Sequence, residues 1–192
     1  MSNENPIIIV SGLPRSGTSL MMNMLEAGGL KSLVDNIRKP DKDNPKGYYE
    51  FEKVKKTKKD SLWLKRAKGR VVKIISMLLY DLPKNYRYKV IFMERDLEEI
   101  IRSQNKMLAH RKKESSISDK EIKTLYEKHL EEVKAWLNKK DNFDVLSVSY
   151  NDFFVNADEN INKIISFLDV FLNSNKMKEV IDPNLYRNKK NV

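Results

Sequence analysis

The feature that most limits how this chain can fold is a short glycine-containing loop near its N-terminus. Residues 7–10 are a β-branched apolar run that predicts a buried strand. The loop S-G-L-P-R-S-G-T-S follows at once, and residues 18–27 then have a helical pattern ended by two glycines. A loop at the head of a helix directs backbone N–H groups at an anion, and the helix N-terminus adds partial positive charge. We therefore predict a phosphate-binding loop over residues 12–19.

Side chains of this loop suit a phosphorylated nucleotide. Arg15 adds a forked cation, Thr18 and Ser19 add hydroxyls, and glycines keep side chains away from phosphate oxygens. The glycine spacing is that of the nucleotide-triphosphatase pattern G-x-x-x-x-G-K-[ST], but Thr18 stands in place of its lysine. The predicted nucleotide-binding residues of the loop are Gly12, Pro14, Arg15, Ser16, Gly17, Thr18 and Ser19.

Further strands and helices alternate along the rest of the chain. Apolar runs predict strands at residues 71–75, 88–93 and 145–148. Periodic apolar positions predict helices at residues 96–113, 118–140 and 160–172, and Ser118 with Glu121 forms a capping box. The lysine-rich stretch 50–68 is predicted to be an exposed helix. Strands separated by helices require parallel crossovers, so we predict a three-layer α/β fold in one domain, residues 1–192.

Composition narrows the classes of function that fit. The net charge of +10, from 37 Lys and Arg against 27 Asp and Glu, favours an anionic partner. A nucleotide, a nucleic acid and an acidic membrane all fit this charge. The chain has no cysteine, which excludes disulfides, thiol catalysis and Cys-ligated metal. No signal peptide and no apolar stretch of about 20 residues are present, so we predict a soluble cytoplasmic protein.

The ordered motifs resemble those of the sulfotransferase family. L-P-R-S-G-T-S is similar to that family's loop for the 5'-phosphosulfate of its donor. The segment K-V-I-F-M-E-R-D-L-E-E-I-I-R-S-Q resembles the strand and helix that bind the 3'-phosphate, with Arg95 and Ser103 at the matching positions. V-L-S-V-S-Y-N-D-F is similar to the strand near the adenine, with Tyr150 at its end. The resemblance runs from about residue 7 to residue 172.

One departure from the family pattern concerns catalysis. V-V-K-I-I-S resembles the strand that carries a catalytic Lys and His, and Lys73 matches the lysine, but Ile75 occupies the histidine position. The resemblance implies a P-loop NTPase-like sulfotransferase fold and transfer from 3'-phosphoadenosine 5'-phosphosulfate to a hydroxyl or amine. It also implies that no metal is needed, with Arg15 and Lys73 as catalytic cations.

The missing histidine leaves the general base open. Glu50, in G-Y-Y-E-F-E, is the first candidate, since burial among neighbouring aromatic residues would make it a better base. Glu52 and Asp81 are alternatives. His110 is expected to project away from the strand ends, and His129 to lie in the middle of a helix.

Two other functions stay open on the sequence alone. A nucleotide kinase or NTPase would need a substitute for the missing lysine and an acidic Mg²⁺ ligand, for which Asp96 is placed. A basic module binding nucleic acid would use the lysines of residues 50–68, although aromatic residues for stacking are sparse there. A nucleotide site without turnover is a third reading, because of Ile75. The acceptor is undetermined, and residues 30–49 and 107–118 are the predicted acceptor loops.

Overall fold

A four-stranded parallel sheet forms the centre of this computed structural model, which describes residues 5–113 and 115–186. Along the chain the strands are β1 (Ile7–Gly12), β2 (Val71–Lys73), β3 (Tyr88–Glu94) and β4 (Phe143–Ser149), and they lie in the order β2-β1-β3-β4. The helices are α1 (Thr18–Ala27), α2 (Leu97–His110), α3 (Asp119–Leu137), α4 (Ala157–Leu168) and α5 (Ser174–Glu179). The predicted parallel α/β fold is confirmed.

Both faces of the sheet are covered, which explains why β1, a central strand, is buried at every residue. Ile7 and Ile9 pack into a core that includes Val133 and Leu137 of α3. Alternate residues of β1 enter a second core on the other face, together with apolar residues of α1, α4 and α5. Because successive side chains of a strand point to opposite faces, one short strand supplies both cores. The predicted three-layer arrangement is thereby confirmed.

The predicted exposed helix over residues 50–68 is wrong. Two short 3₁₀ helices, Glu52–Lys56 and Leu62–Arg66, occupy this stretch. Its apolar residues Val54, Trp63 and Leu64 are buried, and their spacing does not follow one face of a continuous helix. The Thr57 hydroxyl connects the two turns, donating to the Val54 carbonyl and accepting from the Trp63 indole. The lysines lie around a packed segment.

Other element boundaries differ from prediction at their ends. β2 stops at Lys73 rather than at residue 75, because a 3₁₀ helix, Ser76–Asp81, begins directly after it. α4 ends earlier than expected, where Asp169 takes a left-handed conformation with φ of 56°. α5 forms in a stretch that was predicted to be a tail. The predicted acceptor loop 107–118 is helical up to His110, and its residue 114 lies outside the described residues.

Helix starts were predicted well where a side chain caps them. The Ser118 and Glu121 capping box is present at the start of α3. Asp96 caps α2, accepting hydrogen bonds from the backbone N–H groups of Glu98 and Glu99. Within residues 5–113 and 115–186, the helices are all too short or too polar to span a bilayer.

Candidate active site

The loop between β1 and α1 has an unusual backbone. Gly17 stands at the N-cap position of α1 with φ of 97°, and no side chain caps this end of the helix. Arg15 also lies in the left-handed region, with φ of 73°, which is uncommon for a residue other than glycine. The first N–H groups of α1 therefore face the loop without a side-chain cap, as an anion site at a helix N-terminus requires.

Packing within the protein favours glycine at both glycine positions of this loop. A Cβ on Gly12 would lie 2.5 Å from the Met93 carbonyl oxygen and 2.6 Å from Ser16 Oγ. A Cβ on Gly17 would lie 2.3 Å from a ring carbon of Tyr150. Gly17 thus lets the aromatic ring at the end of β4 touch the loop. These close contacts are a packing reason for glycine at both positions, in addition to the room for phosphate oxygens that the sequence predicted.

A cavity of about 460 Å³ opens at the carboxyl ends of the strands, beside this loop. The predicted residues that line it are Pro14, Arg15, Gly17, Thr18, Ser19, Glu50, Lys73, Arg95, Ser103 and Tyr150. Ile75 lines it too, at the position where the family pattern has histidine. Gly12 and Ser16 are not among the lining residues. The Ser16 side chain is 1% exposed, and its hydroxyl has no hydrogen-bond partner among the described residues.

Arg15 joins the loop to α2. Its Nε donates to Ser103 Oγ at 2.9 Å, and its carbonyl oxygen accepts from Arg95 Nη1 at 3.2 Å. The two positions predicted for a 3'-phosphate therefore both touch the residue predicted for a 5'-phosphosulfate. Burial lowers the pKa of the Arg15 guanidinium, while the charges of Tyr48 and Asp43 oppose this shift. Sequence motifs 80 or more residues apart form one continuous site.

Arg95 is held on two sides. Its Nε donates to Glu99 Oε2 at 2.9 Å, and the Arg95 and Glu99 side chains are only 7% and 1% exposed. The guanidinium lies over the Tyr150 ring, 4.3 Å from the ring centroid. Glu99 was not among the predicted site residues. Its position four residues after Arg95, in the first turn of α2, is the sequence signal for this pair.

Lys73 points from the end of β2 into the cavity. Its Nζ donates to the Tyr48 carbonyl oxygen and lies 3.4 Å from Ser19 Oγ. The pKa of the Lys73 ammonium is lowered to about 8. Burial is the main cause; the charge of Glu50 raises the pKa, and the charges of Arg38 and Arg15 lower it. A buried lysine with this pKa carries a charge that changes near neutral pH.

Residues 41–48, here termed the cover loop, lie against the phosphate-binding loop. Arg15 Nη2 donates to the Asp43 carbonyl oxygen at 3.1 Å, and Asn44 Nδ2 donates to Ser19 Oγ at 2.9 Å. On the far side, Lys46 Nζ donates to the Val180 carbonyl oxygen at 3.0 Å. Most of the segment D-N-P-K-G-Y-Y-E lies in this loop. Its sequence alone did not predict the contacts that the loop makes.

His129 lies in the middle of α3, as expected. His110 does not line the cavity, but its Nδ1 lies 2.6 Å from Asp43 Oδ1. Asp43 belongs to the cover loop and lines the cavity. His110 reaches it because the cover loop extends toward the C-terminal end of α2. His129 Nε2 lies 2.8 Å from Ser76 Oγ, and burial lowers the pKa of this imidazole.

Of the three carboxylates considered as a base, Glu50 lines the cavity. Its Oε1 accepts from Arg38 Nη1 at 2.8 Å, and its side chain remains 26% exposed. The expected enclosure by aromatic residues is therefore incomplete, because this edge of the cavity is open. Arg38 also stacks on the Tyr48 ring, with its Cζ 3.2 Å from the centroid. Glu52 pairs with Lys55 instead.

The residues of the cavity include several cations and no cluster of acidic ligands. Among the residues that the structure describes, there is no group of three or more His, Asp or Glu side chains that could hold a metal ion. Asp96, considered above as a Mg²⁺ ligand, caps α2. The polar groups that converge here are therefore suited to an anion.

Comparison with known proteins gave a consistent result. The profile of the family described as "Sulfotransferase domain" matches residues 5–192. The comparison with curated proteins gave no match. Among solved structures, the sulfotransferase domain from the curacin biosynthetic pathway is 14% identical with a TM-score of 0.55, and the similarity covers 94% of this chain and 79% of that one.

Two further solved structures are similar. A mouse sulfotransferase complexed with PAP is 17% identical with a TM-score of 0.53, and 93% of this chain and 63% of the mouse chain are covered. The sulfotransferase domain from the Synechococcus PCC 7002 olefin synthase is 16% identical with a TM-score of 0.50, covering 98% of this chain and 85% of that one. At these identities, the structures show a shared fold.

Proposed function

The chain belongs to the sulfotransferase domain family, and we propose that its donor is 3'-phosphoadenosine 5'-phosphosulfate. The observation that carries this proposal is the contact of Arg15 with Ser103 and Arg95 beside one cavity. A nucleotide with phosphates at both ends of its ribose would use all three residues together. Tyr150, whose ring lies under the Arg95 guanidinium, also lines this cavity. The cavity volume of about 460 Å³ and its cations fit such a ligand.

Sulfuryl transfer is an in-line displacement. The acceptor oxygen forms a bond to sulfur while the bond from sulfur to the bridging oxygen breaks, and the 5'-phosphate leaves with the electron pair. Negative charge grows on that leaving oxygen, so catalysis depends on positive groups placed beside it. We assign Arg15 and Lys73 to this task, with the N–H groups at the start of α1 holding the 5'-phosphate.

The acceptor hydroxyl must lose its proton as it attacks. We propose that the Glu50 carboxylate takes it, since Glu50 lines the cavity and its charge acts on Lys73. Arg38 holds this carboxylate at the cavity wall. Phe51, Val54 and Leu78 form an apolar wall nearby, where the acceptor would lie. The sequence left the identity of the acceptor undetermined. The cytoplasmic location of the enzyme stays a prediction.

The rival functions have less support. Thr18 replaces the lysine that an NTPase of this type needs, and Asp96 is used to cap α2. The lysine-rich stretch 50–68 is not the extended basic helix that a nucleic-acid module would present.

We expect 3'-phosphoadenosine 5'-phosphate (PAP) to raise the melting temperature much more than adenosine monophosphate (AMP) at equal concentration. The reason is that only the first ligand carries the 3'-phosphate that Arg95 and Ser103 would bind. Thermal unfolding with each ligand measures this directly, because a ligand that binds the folded state stabilises it by mass action. ATP with Mg²⁺ serves as the comparison for the kinase alternative. Equal shifts from PAP and AMP would remove the case for this donor.

The variant Glu50→Gln is expected to lower turnover by about 10²–10⁴-fold, since an amide cannot take up the acceptor proton. The affinity for PAP should stay within a few-fold, because Glu50 is assigned no contact with the donor. Turnover is measured with an acceptor found by screening, and PAP affinity by titration calorimetry. Glu52→Gln is the matched control, since Glu52 does not line the cavity and pairs with Lys55. Turnover close to that of the parent would rule out Glu50 as the base.

A further inference from the structure

We propose that Glu99 is a positioning residue for 3'-phosphate recognition, and that it acts by orienting the guanidinium of Arg95. This inference rests on the donor proposed above. Glu99 was assigned no role by its sequence, and it does not line the cavity. Its side chain is nevertheless 1% exposed, which is rare for a carboxylate unless it is bonded on several sides.

Three side chains of the described part of the chain contact the Glu99 carboxylate. Arg95 Nε donates to Oε2 at 2.9 Å, and the Tyr186 hydroxyl donates to Oε1 at 2.8 Å. Asn151 Nδ2 lies 3.3 Å from both oxygens. These partners come from the end of β3, the C-terminal segment and the turn after β4. The carboxylate is therefore the point where three distant parts of the chain meet.

Two other acidic residues near the start of α2, Asp96 and Glu98, have roles that differ from that of Glu99. Asp96 caps the helix, and Glu98 faces outward, where it pairs with Lys123 at 3.3 Å. Helix capping and favourable charge at the N-terminus of α2 are thus provided without Glu99. Among the described residues, its buried carboxylate pairs with Arg95, and this pairing orients the guanidinium.

Fixing the guanidinium has a consequence for ligand binding. With Nε bonded to Glu99 and the plane stacked over Tyr150, the Nη1 edge of Arg95 meets the Arg15 carbonyl oxygen. Arginine recognises phosphate through a rigid fork, so its benefit depends on orientation before the ligand arrives. A guanidinium without its anchor would have to be ordered during binding, which weakens affinity for the 3'-phosphate.

The C-terminal segment contributes to the same anchor. Tyr186 stacks on Phe154 with ring centroids 4.6 Å apart, and it meets Tyr150 edge-on at 5.6 Å. Its hydroxyl then reaches Glu99. Because the ring is held by stacking, Tyr186→Phe removes one hydrogen bond to the carboxylate while keeping the packing of the segment.

The test measures the affinities of the wild type, Glu99→Gln and Glu99→Asp for PAP and AMP by titration calorimetry. The quantity of interest is the ratio of the two affinities, which isolates the 3'-phosphate. In Glu99→Gln we expect this ratio to fall about tenfold or more, the loss of one charge-assisted contact. Glu99→Asp keeps the charge and should retain more of the ratio. Glu98→Gln is the matched control, with the same charge change on the outer face of α2, and should leave the ratio unchanged.

Each outcome separates this inference from the proposed donor. A wild type that binds AMP as tightly as PAP would contradict the donor itself, and the inference would fall with it. A wild type that prefers PAP, combined with an unchanged or larger ratio in Glu99→Gln, would overturn the role of Glu99 alone, even if the melting temperature falls. If Glu99→Gln does not fold, Tyr186→Phe replaces it. A smaller ratio in that variant supports the inference, and an unchanged ratio overturns it.

Discussion

Replacing Lys73 by methionine is expected to lower the turnover of sulfuryl transfer by about 10²–10³-fold, the usual effect of removing one group that stabilises developing negative charge. Methionine fills similar space but has no charge to place beside the leaving oxygen. The affinity for PAP should change far less, because the charge is needed most in the transition state. Lys53→Met, which removes an exposed lysine outside the cavity, is the control. A turnover within a few-fold of the wild type would exclude Lys73 from catalysis.

The same residue predicts how activity depends on pH. Burial lowers the pKa of Lys73 to about 8, so its catalytic charge is present below this pH and is lost above it. The value of kcat/KM, which reports ionisation of the free enzyme, should therefore fall as the pH rises past about 8. Arginine stays protonated in this range, so Lys73→Arg should move the alkaline decline to higher pH. An alkaline decline that does not move in Lys73→Arg would assign it to another group.

The variant Arg15→Ala is expected to weaken PAP binding by about 10–100-fold, equivalent to the roughly 1.5–3 kcal/mol of one hydrogen bond to a charged group. It should also remove most of the transfer activity, since Arg15 is the cation of the phosphate-binding loop. Titration calorimetry measures the affinity, and the melting temperature without ligand checks that the fold is retained. Arg15→Lys keeps a charge but not the fork, and should lie between alanine and the wild type.

An unchanged PAP affinity in Arg15→Ala would have a specific meaning. The guanidinium would then serve only its observed partners, Ser103 and the Asp43 carbonyl. The loop backbone and α1 would hold the 5'-phosphate without it.

Local signals explain what could be predicted from the sequence. The order of strand, loop and helix over residues 7–27 is encoded by neighbours in the chain, and α1 has the predicted bounds of Thr18–Ala27. The capping box of Ser118 is a signal within four residues. Lys73, Arg95 and Tyr150 were predicted from the resemblance of their segments to sulfotransferase motifs. All three line one cavity at the carboxyl ends of the parallel strands.

Features that depend on distant contacts could not be predicted in the same way. The stretch 50–68 has helix-forming lysines, yet burial of Trp63 against Phe51 and Leu64 against the sheet decides its shape. His110 reaches Asp43 across 67 positions of sequence, through a loop whose path the sequence does not encode locally. Long-range packing overrides local propensity in both places.

The cover loop occupies hydrogen-bonding groups that the proposed donor would use. Its Asp43 and Tyr48 carbonyl oxygens accept hydrogen bonds from Arg15 and Lys73, and its Asn44 engages Ser19. A donor that binds these three side chains has to replace the hydrogen bonds that the cover loop makes with them. Because the loop belongs to the same chain, it is a tethered alternative partner at a high effective concentration. We therefore expect the net affinity for the donor to be lower than its contacts alone would give.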